Sequence, residues 1–161
     1  MSGRVEAMEL ARFTVETLGY WSGPVHPEPL GGGLTNRNFL VTDRGQRFVA
    51  RVGNDIPVHL IVRDHERAAA RAAHAAGIGP EVVYTEPGAL VMRYIEGRPL
   101  SPVDVREPVR LADIIGLVRR CHTEVGAQFV GPALAFWPFH VVRNYIRTVQ
   151  DAGGYWAQEA G

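Results

Sequence analysis

The stretch that decides the fold is PLGGGLTNRNFLVTDRGQRFVARV, which runs from Pro29 to Val52. It opens with three consecutive glycines and continues as a run in which polar and apolar residues alternate. Alternation with a period of two is typical of a β-strand that is buried on one face only. The tetrapeptide DRGQ at 43–46 interrupts the run and predicts a hairpin turn with Gly45 in the left-handed conformation. Two antiparallel strands are therefore expected after the glycines.

Each expected strand has two faces of different character. The first strand covers 34–42 and the second covers 46–52. In the second strand, the alternation places Arg47, Val49 and Arg51 on one face, and Phe48, Ala50 and Val52 on the other. One face of the sheet thus carries two arginines, and the other is suited to a hydrophobic core.

The glycine triplet fits neither of two well-known phosphate-binding motifs. The Walker loop requires a lysine after its last glycine, but all 17 basic residues of this chain are arginines. The dinucleotide fingerprint requires a helix after the glycines, whereas here a strand follows, and Asn36 stands where the third glycine should be. Two interpretations stay open. The triplet is either a flexible turn or a loop that aims backbone N–H groups at phosphate oxygens.

A helix is expected from 57 to 76, ended by Gly77. On a helical wheel Glu66 falls among small apolar residues, away from the charged side. That charged side consists of Arg63, Asp64, Arg67, Arg71 and His74. A carboxylate that faces a core must be paired, because its desolvation is costly. Arg51, near the end of the preceding strand, is the expected partner, since its planar fork suits a carboxylate. The alternative is that Glu66 lies at the rim of the core and reaches water.

The rest of the chain predicts an α+β fold rather than a parallel βαβ sheet, because strands come early and helices late. Further elements are expected as a helix at 4–18, a short strand at 25–30, a hairpin at 81–96 and amphipathic helices at 109–122 and 139–150. The apolar face of the helix at 109–122 is expected to point inward. The segment from Ser101 to Asp104 is expected to start a capped helix.

The linker after Gly97 is the candidate domain boundary. It would separate a sheet-containing part, residues 1–97, from a helical part, residues 98–161. Formal net charge is zero, which argues against a nucleic-acid or membrane-surface partner, because both require a patch of one sign. Cys121 is the only cysteine, so an intrachain disulfide and a cysteine-rich metal site are excluded. The charged N-terminus does not read as a signal peptide, and a cytoplasmic location is expected.

Four segments resemble the choline kinase and aminoglycoside phosphotransferase superfamily, which has the protein-kinase-like fold. These segments are GGLTNRNFLV, FVARV, RDHERAAARAAHAAGIGPEVVY and ALVMRYIEGRPL. Their order is similar to the choline or thiamine kinase branch, and the resemblance covers about 30–122, the N-terminal part of such a fold. It implies a small lobe, with an antiparallel sheet and one long helix, followed by the first helices of a truncated helical large lobe.

The resemblance also implies which residues bind ATP. The loop over the phosphates would comprise Gly31, Gly32, Gly33, Thr35 and Asn36. Arg51 would contact the α- and β-phosphates and be held in place by Glu66, while Val49 would line the adenine pocket. The Arg93 carbonyl and the Ile95 amide would hydrogen-bond adenine, with Met92 behind it.

The catalytic part of the family pattern is missing from this chain. A kinase of this kind needs an H-x-D loop followed by an asparagine, and a later metal-binding aspartate. The nearest match is His122-Thr123-Glu124, and His122 lies in line with an apolar helical face, which favours a core histidine. The expectation is therefore a fragment with no catalytic residues and no metal ligands of its own. The Mg²⁺ ligands would belong to the missing lobe, and the chain alone would transfer no phosphate.

Three functional hypotheses follow. The first is an ATP-dependent kinase for a small-molecule alcohol such as choline, ethanolamine or thiamine, with an aminoglycoside or another hydroxylated metabolite as the alternative acceptor. The second is a kinase-like module that binds a nucleotide or a partner protein without catalysis. That partner could be a missing C-terminal half, since exposed apolar faces are expected after Phe129. The third is an α+β domain in which the glycines are a turn and the Arg51–Glu66 pair is structural.

Overall fold

The computed structural model describes residues 2–31 and 36–153. Its elements are α1 (Ser2–Glu16), β1 (Glu28–Leu30), β2 (Arg37–Asp43), β3 (Gln46–Val52), α2 (Arg63–Ala75), β4 (Val82–Glu86), β5 (Ala89–Arg93), α3 (Pro108–Arg120), α4 (Gly126–Gln128) and α5 (Pro138–Asp151). Short 3-10 turns occupy Pro57–His59 and Asp104–Arg106, and a π-helical turn occupies Cys121–Val125. The prediction of an α+β fold is confirmed. Within the described ranges, no helix combines the length and apolar character that a membrane crossing requires.

The strands form one antiparallel sheet in the order β1-β2-β3-β5-β4. The predicted turn between β2 and β3 is present, with Arg44 at φ 48° and Gly45 at φ 73°. Positive φ at both central residues matches the right-handed twist of the flanking strands. This two-residue turn therefore fixes the register of β2 against β3. The second hairpin, β4–β5, is also as predicted and turns at Pro87 and Gly88.

The hydrophobic core lies between α1 and one face of the sheet. Alternate residues of the central strands point into it, as the sequence pattern predicts, while α1 contributes the facing side chains. The buried set includes Ala11, Val15, Leu18, Phe39, Val41, Phe48, Ala50 and Val91. Tyr20 packs edge-on against Phe48, with ring centroids 5.5 Å apart, at the margin of this core. The N-terminal helix is therefore part of the sheet-containing unit.

The helix expected at 57–76 begins later than predicted, at Arg63. Before it, the chain makes a 3-10 turn, and Leu60 adopts a left-handed conformation with φ 54°. Ile56 and Ile61 pair as an isolated antiparallel bridge, which closes this loop and prevents helix formation there. The first N–H of α2, that of Arg63, is capped from a distance by Asp55 Oδ1 at 2.8 Å. The C-terminus is as predicted, with Gly77 at φ 68°.

The prediction that α3 turns its apolar face inward is wrong within the described residues, whereas the exposed apolar faces expected after Phe129 are present on α5. Ile115 is 58% exposed and Phe139 is 69% exposed. Other apolar residues of these faces, Leu111, Val118, Val142 and Val149, are also exposed, as is Cys121. The prediction of a core histidine at 122 fails as well, because His122 is exposed in the π-helical turn. Periodicity identifies which face of a helix is apolar, but it says nothing of what covers that face.

The linker from 98 to 104 is held by one buried carboxylate. Asp104 accepts both arms of the Arg98 guanidinium, at 2.6 and 2.8 Å. It also accepts the Ser101 N–H at 2.7 Å, while Ser101 Oγ accepts the Asp104 N–H at 3.2 Å, which is the reciprocal pattern of a capping box. The hydrogen bonds from Arg98 and Ser101 lower the pKa of Asp104 far below its usual value. The predicted capping pattern is thus present between Ser101 and Asp104, although a 3-10 turn at Asp104–Arg106 follows it instead of an α-helix. The domain boundary placed after Gly97 stays a prediction.

Replacing Val15 with alanine should destabilise the sheet-containing unit. Val15 is fully buried against the sheet, and removing its two methyl groups leaves a cavity that costs about 2 kcal/mol of unfolding free energy. The matched control is Val5→Ala, because Val5 lies on the same helix and is 63% exposed. Urea denaturation of both variants tests this packing. Equal unfolding free energies for the two would show that α1 does not pack on the sheet.

Candidate functional site

The face of the sheet opposite α1 forms the floor of the candidate site. In the antiparallel register, Val49 of β3 lies between Leu40 of β2 and Met92 of β5. Two residues further along β3, Arg51 lies between Asn38 and Leu90. Directly opposed residues project to the same side of a sheet. Apolar side chains therefore cover one part of this floor, and a guanidinium stands beside them.

The ion pair expected between Arg51 and Glu66 is present. Arg51 Nη1 donates to Glu66 Oε1, which connects the end of β3 to the first turns of α2. Asn36 Nδ2 donates to the same oxygen at 3.2 Å. Both members of the pair are partly buried, with side-chain exposures of 33% and 24%. The Nε atom of Arg51 is buried and has no partner among the described residues, so Glu66 does not use all of the donors of this guanidinium.

A second arginine, Arg63, also binds Glu66, although the helical wheel placed it on the charged side, away from Glu66. Arg63 is nevertheless buried and only 8% exposed. Its Nη1 donates to Glu66 Oε2 at 2.7 Å, and its Nε donates to the carbonyl oxygen of Asn54 at 2.9 Å. The spacing of three residues between Arg63 and Glu66 was the available signal, since such pairs are neighbours on a helix.

Gly53 makes room for this arrangement. A Cβ atom at position 53 would lie 2.8 Å from Arg63 Nη2 and 2.6 Å from Asn36 Oδ1. Both distances are below van der Waals contact, so any side chain would displace two members of the cluster. The Gly53 N–H meanwhile donates to the Gly88 carbonyl at 3.0 Å, which fixes the chain as it leaves β3. This glycine was missed in the sequence because no turn or positive φ singles it out.

The electrostatics of the cluster keep Glu66 ionised. Burial acts to raise the pKa of Glu66, but the hydrogen bonds from Arg63 and Arg51, with their charges, outweigh it and lower the pKa below its usual value. Arginine keeps its charge at any physiological pH. Two positive groups and one negative group thus leave the cluster with a net charge of about +1, which suits an anionic ligand.

The segment that follows β5 has a fixed backbone. Arg93 N–H donates to the Glu81 carbonyl at 2.9 Å, and Tyr94 N–H donates to the Arg47 carbonyl at 3.0 Å. The Arg47 guanidinium lies 4.0 Å from the centre of the Tyr94 ring and also binds Glu96. Ile95 is exposed, and its N–H donates to no backbone carbonyl of the described residues. Ile95 thus offers a hydrogen-bond donor at the rim of the apolar floor.

The residues predicted to bind ATP divide into three groups. Those in or next to the site are Asn36, Val49, Arg51, Glu66 and Met92, with Arg93 and Ile95 at its rim. Gly31 is exposed at the end of β1. Gly32, Gly33 and Thr35 lie outside the described residues. Within the described part of the chain, no three His, Cys, Asp or Glu side chains converge in a way that could hold a metal ion.

Comparison with known proteins identifies the class. A model of the phosphotransferase enzyme family matches residues 26–143, which is most of the chain, so the protein belongs to that family. Protein LicA of Haemophilus influenzae is 27% identical over 132 residues, an alignment that covers 80% of this chain and 38% of LicA. The family resemblance seen in the sequence is thereby confirmed.

Solved structures agree with this assignment. A choline/ethanolamine kinase family protein from Mesorhizobium loti has 29% sequence identity and a TM-score of 0.59, covering 88% of this chain and 45% of its own. An ethanolamine kinase from Plasmodium vivax has 14% identity and a TM-score of 0.60, covering 80% of this chain and 37% of its own. At that lower identity the likeness shows the fold alone. The chain spans less than half the length of each of these relatives.

The variant Glu66→Gln should be less stable than the wild type at pH 7, by about 2 kcal/mol, because two guanidinium groups lose their anionic partner. Since the folded-state pKa of Glu66 is lowered, its stabilisation is fully present above the unfolded-state pKa, about 4.3, and is lost as pH falls below that value. The difference between wild type and variant should therefore shrink between about pH 5 and pH 3.

Urea denaturation across this pH range is the measurement. Glu9→Gln on exposed α1 surface is the matched control and should change stability little at any pH. A stability difference between wild type and Glu66→Gln that stays constant down to pH 3 would contradict the ion-pair assignment.

Proposed function

We propose that this chain is the nucleotide-binding half of an ATP-dependent phosphotransferase that acts on a small-molecule alcohol. One observation carries the proposal. Arg51 stands at the edge of an apolar floor with a buried Nε donor that no described residue uses. Buried donors in native proteins are almost always paired, so an unpaired guanidinium donor beside an apolar surface fits a ligand with an anionic part and a flat apolar part. A nucleotide has both.

The nucleotide would lie along β3. Its phosphates would meet Arg51, where a guanidinium provides charge-assisted hydrogen bonds. Its adenine would lie over Val49 and Met92 and bond to the Arg93 carbonyl and the Ile95 N–H. The loop of Gly31, Gly32, Gly33, Thr35 and Asn36 would cover the phosphates. Phosphoryl transfer depends on positioning and charge stabilisation, and this half of the site would provide the positioning of the donor.

The acceptor is proposed from the relatives. The M. loti structure is a choline/ethanolamine kinase family protein and the P. vivax structure is an ethanolamine kinase, so an amino alcohol of this type is the first candidate. Thiamine, an aminoglycoside or another hydroxylated metabolite are the alternatives. Acceptor contacts would come from the portion of the relatives that this chain does not span.

Magnesium would neutralise the phosphate charge in such an enzyme, but the described residues do not fit a magnesium site. Mg²⁺ is bound through carboxylates and water, and no suitable cluster of carboxylates or histidines occurs in 2–31 or 36–153. The metal ligands and the catalytic base are therefore proposed to lie in the rest of the large lobe. The alternative, a nucleotide- or partner-binding module without catalysis, is favoured by the same finding.

The exposed faces of α3 and α5 are proposed as the contact surface for that remainder. Ile115 and Phe139 are mostly exposed on these faces. Contiguous apolar surface of this kind marks an interaction site. More than half of the length of these relatives lies outside the part that matches this chain. A helical body of the same family, as a continuation or a second polypeptide, is the proposed occupant.

Addition of ATP should raise the melting temperature of this protein. A ligand that binds only the folded state at about 100 times its Kd stabilises it by about 2.7 kcal/mol, which corresponds to several degrees for a chain of this size. Arg51→Ala should abolish the shift, because it removes the only phosphate ligand assigned on the sheet. Arg106→Ala, at an exposed position outside the site, is the matched control and should keep the shift. Differential scanning fluorimetry with ATP checks both, and an unchanged shift in Arg51→Ala would refute the phosphate placement.

The 161-residue protein alone should not phosphorylate choline or ethanolamine. Neither an H-x-D loop nor a metal-binding cluster is available in the part of the chain that the structure describes. Transfer of radioactive phosphate from [γ-³²P]ATP to choline, ethanolamine or thiamine is the measurement, with a full-length choline kinase as the positive control. Turnover by the purified chain would show that the base and the metal ligands have been placed wrongly.

A further inference from the structure

The two oxygens of the Glu66 carboxylate are held by different arginines. Oε1 accepts from Arg51 and, at 3.2 Å, from Asn36, whereas Oε2 accepts from Arg63 at 2.7 Å. An arginine facing a free carboxylate normally binds both oxygens through a fork of two parallel hydrogen bonds. Here Arg63 donates to the second oxygen, and Arg51 donates only to the first.

Arg63 has anchors that do not depend on Glu66. Its Nε donates to the Asn54 carbonyl at 2.9 Å, and its backbone N–H donates to Asp55 Oδ1 at 2.8 Å. Its guanidinium lies in the space left by the missing side chain of Gly53. The loop between β3 and α2 thus holds this side chain in place, and its side-chain exposure is only 10%. Arg63 is a fixed cation, whereas Arg51 is one-third exposed and faces the floor of the cleft.

The consequence concerns the donors that remain on Arg51. A pair of one arginine and one glutamate would be neutral and would occupy the fork of the arginine. With Arg63 on Oε2, the cluster keeps a net positive charge of about +1, and Arg51 keeps an unpartnered Nε donor within the described structure. A polyphosphate, which is strongly anionic and presents several acceptor oxygens, is the ligand class that matches both features.

We infer that Arg63 is a positioning residue for polyphosphate binding. By donating to one oxygen of Glu66, it disfavours a two-bond contact between Glu66 and Arg51 and leaves donors of Arg51 available to the phosphates. This inference rests on the nucleotide site proposed above. Arg63 itself stays behind the cluster, against the Asn54 carbonyl, and acts on the ligand through Glu66 and Arg51.

The test compares Arg63→Gln with the wild type for three probes: ATP, inorganic tripolyphosphate and adenosine. Removing Arg63 lets Arg51 bind both oxygens of Glu66, so a phosphate ligand must displace an additional charge-assisted hydrogen bond. Such a bond is worth about 1.5–3 kcal/mol, which corresponds to about tenfold or more in Kd. We expect the affinity for tripolyphosphate and ATP to fall about tenfold, and the affinity for adenosine to stay within about twofold. Isothermal titration calorimetry measures all three.

A direct readout follows Arg51 itself. In ¹H–¹⁵N spectra of the Nε–H groups, the Arg51 signal, assigned by its loss in Arg51→Lys, should move in ligand-free Arg63→Gln because Nε or its neighbouring donor gains a carboxylate partner. Arg71→Gln is the matched control on the same helix, since Arg71 is exposed and its Nη2 donates to Thr85 Oγ1 at 3.1 Å. It should leave both the Arg51 signal and all three affinities unchanged.

The outcomes separate this inference from the proposed function. Failure of the wild type to bind both ATP and tripolyphosphate would overturn the nucleotide site and, with it, the role of Arg63. Wild-type affinity for tripolyphosphate in Arg63→Gln, with binding lost in Arg51→Ala, would overturn the role of Arg63 alone. An equal loss for adenosine and ATP would show that Arg63 only supports the fold. If Arg63→Gln does not fold, the affinities for tripolyphosphate and adenosine are compared in Arg63→Lys instead. The single ammonium group of a lysine cannot bind both the Asn54 carbonyl and Glu66, as the forked guanidinium does.

Discussion

The carboxylate of Glu66 is the point where the main parts of the candidate site meet. It receives hydrogen bonds from the end of β3, from the residue that precedes β2 and from the first turn of its own helix. Each of these elements would otherwise present an unpaired polar group at a partly buried junction, which is costly. The position of α2 against the sheet, the direction of the Arg51 side chain and the path of the loop at Asn54 therefore depend on one another.

Strand β3 connects this cluster to the hydrophobic core. Its even-numbered residues, such as Phe48 and Ala50, pack beneath α1, while its odd-numbered residues, such as Val49 and Arg51, face the cleft. A shift of register by one residue would exchange the two sets. The packing that stabilises the domain therefore also determines which side chains reach a ligand, and the tight turn at Gly45 helps to hold that register.

The features that were predictable from the sequence are those with a local or periodic signature. Alternation identified both faces of β2 and β3, glycine identified the turn and the end of α2, and the helical wheel identified Glu66 as an acid in need of a partner. The start of α2 was missed because Leu60 adopts a left-handed conformation through the bridge between Ile56 and Ile61, and propensity does not encode such a contact. Burial of Arg63 was missed because it depends on a glycine ten positions earlier. Burial of the apolar face of α3 was wrongly expected, because the spacing of apolar residues does not specify which element covers them.

The cation in the cleft is an arginine, and this has a practical consequence for chemical labelling. Reagents that acylate amines, including nucleotide analogues designed to transfer an acyl group to a lysine near the phosphates, find no side-chain target anywhere in this chain. Dicarbonyl reagents such as phenylglyoxal, which condense with guanidinium groups, are the suitable chemistry. They should discriminate by accessibility, since Arg51 is one-third exposed and Arg63 is nearly enclosed. Footprinting of this cleft therefore requires reagents that modify guanidinium groups, and mass spectrometry then locates the adduct.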